Sequence, residues 1–168
     1  MPFARSGVRI NLQEMQKKLL ISLYILFLFA ACSEPAFYEE FRQTGEETWH
    51  MDDVLDFPVQ VDDTSGVYRL IFTIRNTTDY AYSNLYLFFT TITPAKLARR
   101  DTVELRLADL SGRWMGKGFG KIRESSFLIK DQYSFPDTGN YIFRLQHAMR
   151  EENLMGITDA GIRIEKMQ

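Results

Sequence analysis

The thiol of Cys32 and the imidazoles of His50 and His147 are the side chains best suited to covalent or acid–base chemistry. The chain holds no other cysteine or histidine. Cys32 ends the run Leu19-Leu20-Ile21-Ser22-Leu23-Tyr24-Ile25-Leu26-Phe27-Leu28-Phe29-Ala30-Ala31, which Lys17 and Lys18 precede. A basic start, an apolar stretch of about 13 residues and two small residues before a thiol read as a bacterial lipoprotein signal. A membrane span needs roughly 20 apolar residues. Phe29 departs from the aliphatic residue usual at its position, and the alternative is an N-terminal anchor that is never cleaved. On the lipoprotein reading, residues 1–31 are a signal peptide and Cys32 becomes the acylated first residue. Each buried CH₂ of lipid contributes roughly 0.8 kcal/mol, so several chains hold the protein durably on a membrane. This covalent lipid is the only non-protein group expected. With one cysteine, an intramolecular disulfide is excluded.

His50 lies in Trp49-His50-Met51-Asp52-Asp53, where an acid–base or metal site could be built with Asp52 and Asp53. The plainer reading is a solvated strand entry. His147 falls on an apolar alternating face and reads as a partly buried, hydrogen-bonded core residue. HExxH spacing, a phosphate loop and a G-x-S-x-G elbow are all absent from the sequence. Asp62-Asp63-Thr64-Ser65-Gly66 offers clustered oxygens but lacks the ligand spacing of a calcium loop, so it reads as a turn. No metal and no catalytic set are expected, and the chain reads as a non-enzyme.

Two segments could carry recognition instead. Gly112-Arg113-Trp114-Met115-Gly116-Lys117-Gly118-Phe119-Gly120 alternates glycine with large residues, and such glycines permit positive φ or close backbone approach. One reading offers Trp114 and Phe119 to a protein or a sugar. The other has Trp114 plugging the end of a β-domain, since large aromatics usually supply burial. The polar and aromatic run from Arg75 to Leu85 holds Arg75, Asn76, Tyr80, Tyr82 and Asn84 between two strands, as in a recognition loop. It also reads as a hairpin connection in which Tyr80 and Tyr82 pack locally while Asn76 and Asn84 bond to backbone.

These segments need a scaffold, and the scaffold is legible as period two. Leu55, Phe57, Val59 and Val61 alternate with Asp56, Pro58 and Gln60. Tyr68, Leu70, Phe72 and Ile74 do the same, as do Val103, Leu105 and Leu107, then Tyr141, Phe143, Leu145 and His147. Such alternation puts one set on a core face. Leu85–Ile92 is a continuous apolar run and predicts a strand buried on both faces. Residues 122–129 and 161–166 predict further strands, and Thr93–Arg99 a weak helix. Turn clusters such as Asn76-Thr77-Thr78-Asp79 and Pro136-Asp137-Thr138-Gly139 separate them. The fold class is all-β, an antiparallel β-sandwich of jelly-roll or Ig-like type. Pro58 belongs at an edge or a bulge, because it cannot donate to a ladder.

The domain division expected is a signal peptide over 1–31, a lipidated N-terminus and acidic tether over 32–48, and the sandwich over 49–168. Phe37 and Phe41 in the tether suit a short helix or a docked segment, the alternative being a frayed segment near the membrane. Met15-Gln16-Lys17-Lys18 offers a second translation start, the alternative being a longer leader from Met1. Residues 1–32 hold four of the 20 Lys+Arg and one of the 22 Asp+Glu, leaving 16 against 21, a net of −5. That balance argues against nucleic acid, which calls for a basic face. Ser33 lacks the aspartate that holds some lipoproteins in the inner membrane, so passage to the outer membrane is permitted.

In order along the chain, Trp49-His50-Met51-Asp52-Asp53, Ile74-Arg75-Asn76-Thr77 and Asp79-Tyr80-Ala81-Tyr82-Ser83-Asn84-Leu85 resemble the GldH family of gliding-motility lipoproteins. So do Leu107-Ala108-Asp109, Trp114-Met115-Gly116-Lys117-Gly118-Phe119-Gly120, Phe135-Pro136, Gly139-Asn140-Tyr141, Gln146-His147-Ala148-Met149-Arg150 and residues 156–166. Ala81 stands where proline is expected, and Lys121 where an acidic residue is. The resemblance implies a cell-envelope lipoprotein needed for gliding and linked to type IX secretion, working through envelope protein partners. It implies no catalytic residues and leaves any small-molecule ligand open. The runner-up from the residues is a carbohydrate-binding sandwich using Trp114 and Phe119. A hydrolase built on His50 and Asp53 is third.

Overall fold

The computed structural model describes Gln13, Lys17 and Ala36–Met167. The segment expected as a signal peptide, Gln13 and Lys17 apart, and Cys32 lie outside the described residues. Among the described residues, ten strands run β1 Tyr38–Gln43, β2 Thr48–His50, β3 Leu55–Val61, β4 Tyr68–Thr77 and β5 Asn84–Ile92, then β6 Ala98–Arg106, β7 Ile122–Tyr133, β8 Gly139–His147, β9 Asn153–Met155 and β10 Ile157–Lys166. Two four-stranded sheets form, in the orders β1-β10-β4-β7 and β3-β8-β5-β6, and β2 and β9 make a separate ribbon. Every pairing is antiparallel. The fold is therefore the all-β, antiparallel class that the alternation predicts.

The period-two faces become the core. Phe57, Val59 and Val61 of β3, Leu70, Phe72 and Ile74 of β4, and Tyr141, Phe143 and Leu145 of β8 are all buried in one cluster. Rings from the two sheets meet inside it, with Phe72 edge-on to Phe89 at 4.9 Å. Each such side chain, fully withdrawn from water, contributes roughly 1.5–3 kcal/mol. Pro58 sits in β3, an edge strand, where its missing N–H costs no ladder bond.

Three expectations are corrected. The tether over 32–48 is shorter than expected, because Tyr38–Gln43 pairs with Asp159–Ile164 of β10 as an edge strand. Phe37 docks on Tyr68 at 4.9 Å, and Phe41 carries Arg75 over its ring at 4.2 Å, which holds this segment extended rather than helical. Thr93–Arg99 is not a helix. Thr93 and Leu97 close a turn, and β6 begins at Ala98. Finally, β5 is not buried on both faces. Leu85, Leu87 and Phe89 face inward, while Tyr86 is exposed and Phe88 half-exposed, stacked under Arg100 at 5.0 Å.

Short connections fix which strand ends lie together. The β3–β4 and β7–β8 links put the end of β3, the start of β4, the end of β7 and the start of β8 at one end of the sandwich, beside Phe37. The β2–β9 ribbon, the 78–83 connection and the 107–121 loop gather at the other.

Candidate functional site

The second end holds nearly every side chain the sequence singles out. It splits into a corner around Trp49 and the glycine loop.

At the corner, Trp49 is 0% exposed and donates its indole N–H to the Asp53 carbonyl at 2.9 Å. Its ring meets His147 edge-on at 5.6 Å. His147 is buried as expected, but neither ring nitrogen finds a partner at bonding geometry. Burial lowers its pKa, against a smaller opposing pull from the Trp49 backbone. His50 accepts the Asp52 N–H at Nδ1, and its Nε2 lies 3.4 Å from Glu152. Asp53 is occupied through its backbone, holding Trp49 and bonding to the His50 carbonyl. His50 and Asp53 thus brace a turn. Among the described residues, no group of three or more His, Cys, Asp or Glu side chains is placed to hold a metal.

The glycine loop is built by its acids and its backbone. Asp109 accepts from Ser111 Oγ at 2.6 Å, Ser111 N at 2.9 Å, Arg113 N at 3.0 Å and Arg113 Nε at 3.1 Å. These donors, Ser111 foremost, hold its carboxyl down at about 2. Trp114 bridges Ala108, and Lys117 exchanges both backbone bonds with Glu124 at 2.7 and 2.9 Å. Two glycines make the second bridge sterically feasible. A Cβ on Gly116 would lie 2.7 Å from the Glu124 carbonyl oxygen, and one on Gly118 would strike that of Ile122.

The two aromatics of this loop part company. Trp114 is half-buried, packed on the core and tilted toward Tyr80 at 6.4 Å. Phe119 is 98% exposed, as is Leu110, and Met115 is 60% exposed. Leu110 and Met115 carry no periodic signal and escaped the sequence reading, as did the organising role of Asp109. The four-residue spacing of Asp109 and Arg113 across Ser-Gly was the available cue.

Of the neighbouring run, Asn76 and Tyr80 are corrected as partner-facing residues. Asn76 is 0% exposed and donates to the Thr77 carbonyl at 2.8 Å. Tyr80 is buried, donates to the Asn84 carbonyl at 2.9 Å, and has its pKa raised by that burial. Both close the connection from within. Arg75 lies on the outer sheet face between Glu124, at 2.8 Å, and Phe41. Tyr82 and Asn84 are half-exposed and bond to Glu151 at 2.8 Å and Glu104 at 2.7 Å.

A groove also runs between the edge strands β6 and β7. Its hollow of about 510 Å³ is lined by Phe89, Val103, Leu105, Phe127 and Ile129, with Asp101, Glu104 and Lys130 among the other lining residues. At the opposite seam, Arg42 of β1 donates to the Asp56 carbonyl of β3 at 3.3 Å.

Comparison with known proteins agrees with this architecture in one direction only. The family described as GldH lipoprotein matches residues 36–164. The gliding motility lipoprotein GldH homolog of Christiangramia forsetii is 36% identical over 153 residues, covering 87% of this chain and 93% of that protein. The gliding motility lipoprotein GldH of Flavobacterium johnsoniae is 34% identical over 155 residues, covering 88% and 94%. Among solved structures, an arabinose-bound α-L-arabinofuranosidase aligns at a TM-score of 0.35 and 14% identity, over 68% of this chain and 17% of its own. That likeness is too weak to carry an argument. The match over the whole β-domain, at this identity and coverage, is decisive: the chain belongs to the GldH lipoprotein family.

Proposed function

We propose that this protein is a lipid-anchored, non-enzymatic component of the gliding apparatus that works through protein–protein contacts at its glycine-loop end. Lipid on Cys32 sets its location, with the outer membrane favoured by Ser33. The residues after Cys32 set its reach, and a surface of the sandwich binds the partner. Coupling to type IX secretion enters through the family.

One observation carries the reading. Leu110 and Phe119 project almost fully into solvent from a loop that Asp109 and the Lys117–Glu124 bridge hold in place. Large apolar groups held exposed on an ordered loop suit a protein-contact surface, where their burial would supply the binding energy. The carbohydrate reading needs two exposed rings, and Trp114 turns inward to Tyr80.

The test is gliding on agar beside a blot of the membrane fraction. Phe119→Ala with Leu110→Ser abolishes spreading at normal abundance, while His50→Ala glides. Normal spreading of the double variant overturns the loop reading, and a non-gliding His50 variant at normal abundance restores a chemical role. Cys32→Ala abolishes fatty-acid labelling; undiminished label removes the lipid anchor.

A further inference from the structure

We infer that the open seam between β6 and β7 is an acceptor groove for one extended segment of another protein, which adds as a strand to the free edge of β7. The segment carries apolar side chains at alternate positions and carboxylates at its flanks. This goes beyond the glycine-loop contact and uses a different surface.

The chain itself fills the first part of this seam. Met115 donates its N–H to the Leu107 carbonyl, just past the end of β6, and Lys117 exchanges both backbone bonds with Glu124 of β7. The segment Trp114–Lys117 thus crosses from one edge to the other through two isolated bridges. Beyond it the seam stays open. Hollows of about 460, 510 and 380 Å³ follow one another along it, from Lys117 past Val103 and Phe127 to Leu97 and Tyr133. Val103, Phe127 and Ile129 pack on the core yet are only partly buried.

The backbone of β7 continues the line that Lys117 begins. Thr78 N–H bonds to the Lys121 carbonyl, and bonded and non-bonded pairs alternate along an antiparallel ladder. Through the register from Thr77 and Ile122 to Ile71 and Leu128, Arg123, Ser125 and Phe127 bond to β4. Glu124, Ser126 and Leu128 then turn their N–H and C=O groups outward. Lys117 takes those of Glu124, which agrees with this parity, and β4 is the only strand that pairs with β7.

The two edges of the seam differ in chemistry. β6 carries Arg99, Arg100, Asp101, Glu104 and Arg106, and such charges guard an edge against added strands. The stretch Ser125-Ser126-Phe127-Leu128-Ile129 of β7 carries none, and Leu128 is 55% exposed. Lys117 and Lys130 bound this stretch and line the hollows. Arg75 holds Glu124 and Arg69 holds Asp131, so neither lysine has an ion pair among the described residues. Carboxylates on the incoming segment complement them.

These features select the occupant. A lipid chain would fill the hollow but make no use of the outward amide groups, whereas an extended peptide satisfies both at once. A second copy does not fit. Its β7 carries its own Lys117 segment beside Glu124. A neighbouring β7 paired through Ser126 and Leu128 would run through that line in either direction. A free extended segment begins where Lys117 ends.

The experiment uses the full lipidated protein in its own cells. Leu128→p-benzoylphenylalanine is the probe, and Gln60→p-benzoylphenylalanine on the edge strand β3 is the control. Light is expected to join position 128, and not 60, to a single segment of another protein with alternating apolar residues and Asp or Glu at its flanks. Adding Ser126→Pro cuts that yield to about a tenth, because the ring removes the outward N–H and blocks the incoming backbone. Ser126→Ala, which loses the same hydroxyl contact with Thr73, keeps the yield. The urea midpoints of the two variants stay close, since the proline takes no bond from the β4 ladder. Lys117→Glu with Lys130→Glu, both exposed, lowers the yield without touching any ladder, and serves if the proline variant unfolds. Crosslinks to lipid or to another copy, or no crosslink at 128, overturn the inference. So does a yield that a folded Ser126→Pro protein leaves unchanged. A yield that falls with the proline but not with the lysine reversals overturns the carboxylate flanks alone.

Discussion

The two ends of the sandwich spend their aromatic side chains in opposite ways. At the Phe37 end, Phe135 sits 5.2 Å from Tyr68, 5.0 Å from Tyr133 and 5.0 Å from Tyr141, with Phe37 laid over the group. At the other end, Phe119 is left in water on a loop that backbone bonds at Asp109, Met115 and Lys117 tie down. What separates them is a covering element. Four strand ends and the incoming chain close over Phe135, whereas the bridge at Lys117–Glu124 uses the loop's backbone and leaves its side chains outward. One end is stabilised by burial; the other is ordered without it.

The largest expected effect follows from removing that burial. Phe135→Ala opens a cavity where four rings meet and costs about 3–5 kcal/mol. Urea unfolding of the domain measures it. A loss below about 1 kcal/mol would mean the ring cluster does not hold this end together.

Trp114→Ala comes next. The ring is half-buried against Tyr80 and the core, so its loss removes roughly half the effect of a fully buried one, about 2 kcal/mol. The same measurement applies. A change as small as that of Phe119→Ala would show that both loop aromatics are free and would revive a two-ring binding surface.

Most of the fold was legible in the sequence, and much less of the site. Alternation at Leu55–Val61, Tyr68–Ile74 and Tyr141–His147 reports burial because sheet side chains alternate faces by geometry. It failed at Leu85–Ile92, where Tyr86 and Phe88 are as apolar as their neighbours yet face outward, Phe88 beneath Arg100. It failed at Tyr38–Gln43 because an edge strand pairs through its backbone and needs no apolar period; Gly161 and Arg75 around Phe41 come from distant sequence. Asn76 and Tyr80 carried two readings, recognition or local closure of a hairpin, since a sequence does not show whether a polar side chain turns inward to a carbonyl; the structure takes the second. Trp114 and Phe119 share one glycine-spaced segment, and only the Ala108 bridge and Tyr80 tell them apart.

His147 gives a smaller, pH-dependent effect. Its folded pKa lies below the ordinary value near 6.5 because burial disfavours the imidazolium. The unfolded chain therefore binds the proton first. The stability it contributes is present above about pH 6.5 and is lost as pH falls toward the folded value. Unfolding at pH 7.5 and 5.5 should show this loss, and His147→Leu should flatten it. An equal slope in the variant would assign the pH dependence to other groups.

The smallest effect on stability is expected where the effect on function is greatest. Phe119→Ala removes a ring that touches water on nearly all sides, so the domain should change by no more than about 0.5 kcal/mol. Asp109, Gly116 and Gly118 still fix the loop, because none of their contacts involves that ring. The folded amount and the midpoint of urea unfolding should match the parent, while gliding falls. A stability loss near that of Trp114→Ala would instead place Phe119 among the residues that hold the loop. The contrast between the two ends would then disappear, since both would be held by buried rings.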